Sequence, residues 1–116
     1  AYAQRHGARW LVGCSSLGTL DESVGAAAWR RLQVHLAEPP LRTRPHAHFA
    51  CGLGGDAPPP PIPRLLTAYL ALGARLAGPP AIDREFGTID FLTCLDLEAS
   101  GLAEPRRLMR FLAAGR

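Results

Sequence analysis

The sequence predicts an α/β domain, on three observations. Two apolar segments, Arg9–Ser16 (RWLVGCSS) and Thr88–Leu95 (TIDFLTCL), have the length and side-chain type of buried strands. Between them, Glu22–Leu36 and Arg64–Leu76 carry apolar residues at helical spacing. At 116 residues, the chain fits a single domain with a modest core.

Taken in order, Ala1–His6 suits the last turns of a helix, stopped by Gly7. The first strand follows and ends at Gly13, Cys14, Ser15 and Ser16. Thr19 or Asp21 then supplies a cap for a helix from Glu22 to Leu36. Val24, Ala28, Leu32 and His35 or Leu36 share one face of it, Arg30 and Arg31 point elsewhere, and Pro39-Pro40 ends it. Residues 41–63 form a long connection rich in Pro and Gly, with Pro58–Pro61 in polyproline II.

The strongest helix pattern is Arg64–Leu76, with Leu65, Tyr69, Leu72 and Leu76 on one face and Gly78-Pro79-Pro80 as its terminator. The second strand, Thr88–Leu95, mixes alternating and continuous apolarity, as in a mostly buried strand. Pro105 opens a short final helix through Leu108, Phe111 and Leu112. Two strands do not make a stable sheet alone. Partner strands are therefore expected from outside these residues. With Ala1 in place of an initiator Met, a fragment or processed chain is the expectation.

Hydrophobic content of 47% against 20% charged residues argues against general disorder. All 13 basic side chains of the Lys and Arg class are Arg, but they are scattered and the net charge is only +3. That distribution offers no nucleic-acid footprint. Cys14, Cys51 and Cys94 are odd in number and far apart, which is no disulfide framework and suits a reducing, cytoplasmic setting. No apolar run approaches the length of a transmembrane helix, and no signal peptide is visible.

Chemistry concentrates between the second helix and the second strand. Asp83, Glu85, Thr88 and Asp90 crowd that junction, where a carboxylate either caps a turn or serves as a base toward an amine or hydroxyl. Asp90 stands out because it interrupts a strand between Ile89 and Phe91. His46, His48 and Cys51 form an H-x-H-x-x-C pattern of zinc-type ligands, yet no second ligand pair follows, so no metal site is expected. Gly52, Gly54 and Gly55 lack a following helix start and are expected to give flexibility. Cys14, Ser15 and Ser16 have no partner tied to them by sequence and suit packing.

Three blocks together resemble the carboxy-terminal half of a GCN5-related (GNAT) N-acyltransferase of the ornithine-acyl-carrier-protein or hemolysin-like type. They are AYAQRHGARWLVGCSSL, PRLLTAYLALGARLAGPPAID and DREFGTIDFLTCLDL, covering most of residues 1–96. The resemblance implies part of a three-layer sandwich with a mixed sheet flanked by helices, residues 1–116 being the carboxy-terminal part of one such domain. It implies transfer of an acyl group from an acyl carrier protein or coenzyme A thioester to an amine such as ornithine. It also implies no prosthetic group, no nucleic-acid partner and, for a lipid product, peripheral membrane contact.

Asp83, Phe86, Thr88 and Asp90 match the family's motif, with Asp90 and Asp83 as catalytic candidates. Phe86, Thr88 and Ser15 are the substrate-binding candidates. The strand and loop that hold the coenzyme diphosphate would lie upstream of Ala1, so the chain alone is expected to be inactive. Gln4 and Gly7 have Q-x-x-G spacing but precede a strand, the wrong place for that loop. The alternative is a non-catalytic, acyltransferase-like binding module; an Arg-rich phosphate or nucleic-acid binder is a third.

Overall fold

The computed structural model describes residues 9–100 and Arg110, the side chains of Ala99 and Ser100 excepted. The expected helix at Ala1–His6, and all but Arg110 of the one from Pro105 onward, lie outside the described residues. The sheet has four strands, β1 (Trp10–Leu17), β2 (Arg75–Leu76), β3 (Ala81–Asp83) and β4 (Thr88–Asp96). β4 is its axis. β1 pairs along its whole length with one edge of β4, and β2 and β3 share the other edge.

All three ladders are antiparallel; the only parallel pairing among the described residues is the isolated Leu36–Leu76 bridge. The expected mixed sheet is therefore corrected to an antiparallel one, and the expected two strands to four. β2 and β3 were illegible because two- and three-residue strands carry no periodicity. Gly87, at φ +71°, closes the turn between β3 and β4 in a conformation that favours glycine.

The helices are α1 (Glu22–Leu32), α2 (Arg64–Ala71) and a single turn, α3 (Leu97–Ser100). Asp21 caps α1, its carboxylate accepting from the Ser23 amide at 3.0 Å and the Ser23 hydroxyl at 2.6 Å. α1 stops earlier than its apolar spacing predicts. Gln33–His35 tightens into a 3-10 turn so that Leu36 can bridge to Leu76.

α2 is likewise shorter than the expected Arg64–Leu76. Gly73 takes φ +96°, and the Gly73 and Ala74 amides donate back to the carbonyls of Leu70 and Tyr69 at 3.0 Å each. These bonds satisfy the last carbonyls and turn the chain sharply. Leu76 thereby joins the sheet instead of the helix face.

Alternation along β1 and β4 separates two sheet faces. Leu17, Ile89 and Phe91 pack with Ala28, Trp29 and Leu32 of α1, with Leu66 of α2, and with Leu76 and Ile82 in the main core. Gly25 lets α1 approach closely, since a Cβ there would sit 2.9 Å from both Ile89 Cδ1 and Cys51 Sγ. On the other face lie Trp10, Val12, Cys14, Ser16, Asp90, Leu92 and Cys94, with no helix of the described residues packed on the main core from that side. The described architecture is two layers, and the site lies on the uncovered one.

Candidate functional site

The segment between α1 and α2 is not structureless. Thr43 N–H donates to Ala77 O at 2.7 Å, Cys51 N–H to Pro80 O at 3.2 Å, and Ala50 bridges to Ala81. Between these anchors, Pro45 and a short 3-10 turn at Ala47–Phe49 stand beside β3. The result is a cleft of about 620 Å³, walled by that turn, by the Asp83–Glu85 turn and by Asp90 of β4.

Asp90 is half-buried, and Ser16, directly opposite on β1, donates its hydroxyl to Asp90 Oδ1 at 2.6 Å. The lateral row Ser16–Asp90–Ala81–Ala50 thus crosses four chain segments at one level. His46 and His48 line the same cleft from the facing turn. Both are exposed, and among the described residues no hydrogen bond engages either imidazole. The His48 ring meets the Phe49 ring edge-on, 5.0 Å between centroids. Arg84 reaches across to the His48 carbonyl at a long 3.5 Å.

Asp83 also reaches the cleft, but its Oδ1 is engaged in the turn, accepting from the amides of Glu85 at 3.1 Å and Phe86 at 3.0 Å. Thr88 pairs with Asp83 across the hairpin and is half-buried. Phe86 sits at the turn's tip and is 81% exposed. Ser15 points away from the cleft, into the helix-covered face, where it is buried and its Oγ has no partner among the described residues. The structure therefore gathers Asp83, Asp90, Glu85, His46 and His48, leaves Phe86 at the periphery, and puts Ser15 on the opposite face. By sequence alone, Ser16 suits packing and the two histidines register only as zinc-type ligands, not as neighbours of Asp90. Strand alternation places Ser16 on Asp90's face once the two strands are paired, but the pairing itself has no local signal.

The zinc-type pattern is dispersed. Cys51 is buried against α1, its thiol directed at the Glu22 carbonyl 3.7 Å away, while both histidines face solvent. Among the described residues no three His, Cys, Asp or Glu side chains group as metal ligands. The Gly52 amide donates to Glu22 Oε1 at 2.7 Å, so this glycine ties the loop to α1. Burial, reinforced by the Glu22 charge, pushes the Cys51 thiol up to about 11. Burial and the Asp90 charge raise the Cys14 thiol, and burial raises that of Cys94. All three are held toward the unreactive protonated form.

Beyond Asp90 along β4 the uncovered face turns apolar. Leu92 and Cys94, with Trp10, Val12 and Leu41, line a groove of about 140 Å³. Polar cleft and apolar groove are consecutive on one sheet face. Comparison of the chain with protein families, curated proteins and solved structures finds no match.

Proposed function

We propose that this chain forms the acceptor side of an N-acyltransferase that moves an acyl group from a carrier-protein or coenzyme A thioester to a small amine. The observation that carries the reading is Asp90. It is a half-buried carboxylate, oriented by Ser16, on an uncovered sheet face, with two imidazoles lining the cleft that no hydrogen bond engages among the described residues, and an apolar groove along the same strand. Three carboxylates against one guanidinium in the cleft wall favour a cationic ligand. An amine enters as its ammonium ion, Asp90 holds it, and the apolar groove takes hydrocarbon from the acyl group.

On this reading the sheet is the carboxy-terminal part of a GNAT-like sandwich in a cytoplasmic enzyme, and aminolipid synthesis is the process it serves. The outer edge of β1, unpaired among the described residues, suits further strands. No helix of the described residues is long and apolar enough to cross a membrane. The test is thiol release from an acyl thioester on addition of ornithine and related amines to the full-length protein. Amine-dependent release with an N-acyl product by mass spectrometry supports the reading. Amine binding without release would instead make the chain a non-catalytic binding module.

A further inference from the structure

We propose that His48 is the proton acceptor for the amine in this cleft; the inference rests on the acyl-transfer reading above. An amine held by Asp90 is bound as an ammonium ion, whose nitrogen has no lone pair to attack a carbonyl. It must first give up a proton. Carboxylates ordinarily titrate near pH 4 and are weak bases for this task, whereas imidazole ordinarily titrates between about pH 5 and 8. A base working near neutral pH is best matched by imidazole. The cleft offers two imidazoles, and neither is engaged by a hydrogen bond among the described residues.

Geometry favours His48 over His46. Ala50, two residues after His48, lies in the lateral row with Ala81 and Asp90. Two strand spacings separate Ala50 from Asp90, about 10 Å. The His48 and Asp90 side chains both line the cleft that an ammonium group would enter. The His48 ring is also held edge-on by Phe49, and its carbonyl by Arg84. His46 contributes its carbonyl to the turn, accepting the Phe49 amide at 2.8 Å, and its ring has no comparable support. The other charged groups facing the cleft are Asp83, Glu85, Asp90 and Arg84.

The step balances without an oxidant or reductant. The bound ammonium gives one proton to His48, which passes it to solvent. The neutral amine then attacks the thioester carbonyl carbon, a C–N bond forms, and the second nitrogen proton passes to His48. The C–S bond then breaks, and the departing thiolate takes the proton from His48. An amide and a thiol are the products.

The test is turnover of a simple acyl thioester with ornithine by the full-length protein, comparing wild type, His48→Gln and His46→Gln from pH 5.5 to 8.5. His48→Gln is expected to lower kcat by about 10²–10⁴-fold with the amine KM nearly unchanged. The fall of wild-type kcat toward acid pH should vanish in it, and added imidazole should restore part of the rate. His46→Gln should lower kcat less than His48→Gln does and keep the fall of kcat toward acid pH. Because His48 is exposed, circular dichroism of the variant should match wild type. Retention of kcat by a folded His48→Gln protein, or a loss in KM alone, overturns the assignment and leaves the acyl-transfer reading standing. A wild-type protein that transfers to no amine overturns that reading, and His48 with it.

Discussion

Gly78→Ala is expected to damage the fold well beyond the size of one methyl group, and the damage should reach the cleft. A Cβ at position 78 would collide with the Thr43 carbonyl oxygen and lie 2.9 Å from that carbonyl carbon. Both are main-chain atoms, so no rotamer change relieves the overlap. Either the 43–44 segment lifts away or the chain around Ala77 shifts. Overpacking of this kind costs about 1–3 kcal/mol. The Thr43–Ala77 hydrogen bond, 2.7 Å long, is lost as well, for about 1 kcal/mol more.

The expected destabilisation is about 2–4 kcal/mol, a large share of the ~5–15 kcal/mol available to a domain. It corresponds to a fall in Tm of about 10 °C or more. Urea denaturation followed by circular dichroism measures it. Because Thr43 anchors the segment that carries His46 and His48, amine affinity should fall even under conditions where the variant remains folded. A variant within about 0.5 kcal/mol of wild type, with the Thr43 amide still protected from hydrogen exchange, would refute the reasoning.

Other outcomes are equally specific. Asp90→Asn should keep the fold and weaken amine binding by about tenfold or more, since a charge-assisted contact contributes about 1.5–3 kcal/mol; unchanged affinity by calorimetry would remove Asp90 from the site. Ser15→Ala should leave amine affinity intact and be neutral or stabilising by up to about 1 kcal/mol, because it removes an unpartnered buried hydroxyl; loss of binding would place Ser15 in the site after all. The Asp21 carboxyl is held below its usual range, first by the Ser23 hydroxyl and then by the Ser23 amide. Its cap therefore contributes stability above the unfolded pKa and loses it as pH falls through the depressed folded value, so Asp21→Ala should flatten the acid limb of Tm against pH. Cys51 should resist alkylation in the native protein and react on unfolding, its thiol being pushed up to about 11; rapid native labelling would contradict its burial.

What the sequence disclosed, and what it withheld, follows the range of the interactions involved. The two long strands and the start of each main helix were legible because their signals are local: an apolar run, a cap at Thr19 or Asp21, and helical spacing from Arg64. The helix ends were not. Leu72 and Leu76 continue α2's apolar spacing, but Gly73 turns the chain and Leu76 is drawn into the sheet opposite Thr93. Tertiary pairing prevailed over periodicity there.

The acidic junction was legible as a cluster, and Asp90 as its unusual member. Its partners were not, because Ser16 lies 74 residues away and the histidine turn is held at the cleft by long-range pairings, Thr43 with Ala77, Cys51 with Pro80 and Ala50 with Ala81. Ser15 and Ser16 illustrate the limit most clearly. One step along β1 changes the face, so adjacent serines meet the core and the cleft respectively.

Amide chemical-shift mapping with ornithine tests the central claim most directly, since it requires only binding by this chain. Shifts are expected at Ser16, Asp90, the 46–49 turn and the 81–85 segment, with Leu66 and Ala26–Ala28 unmoved beneath the sheet. No shifts at those positions, or shifts gathered around Arg30 and Arg31 on α1, would contradict that claim.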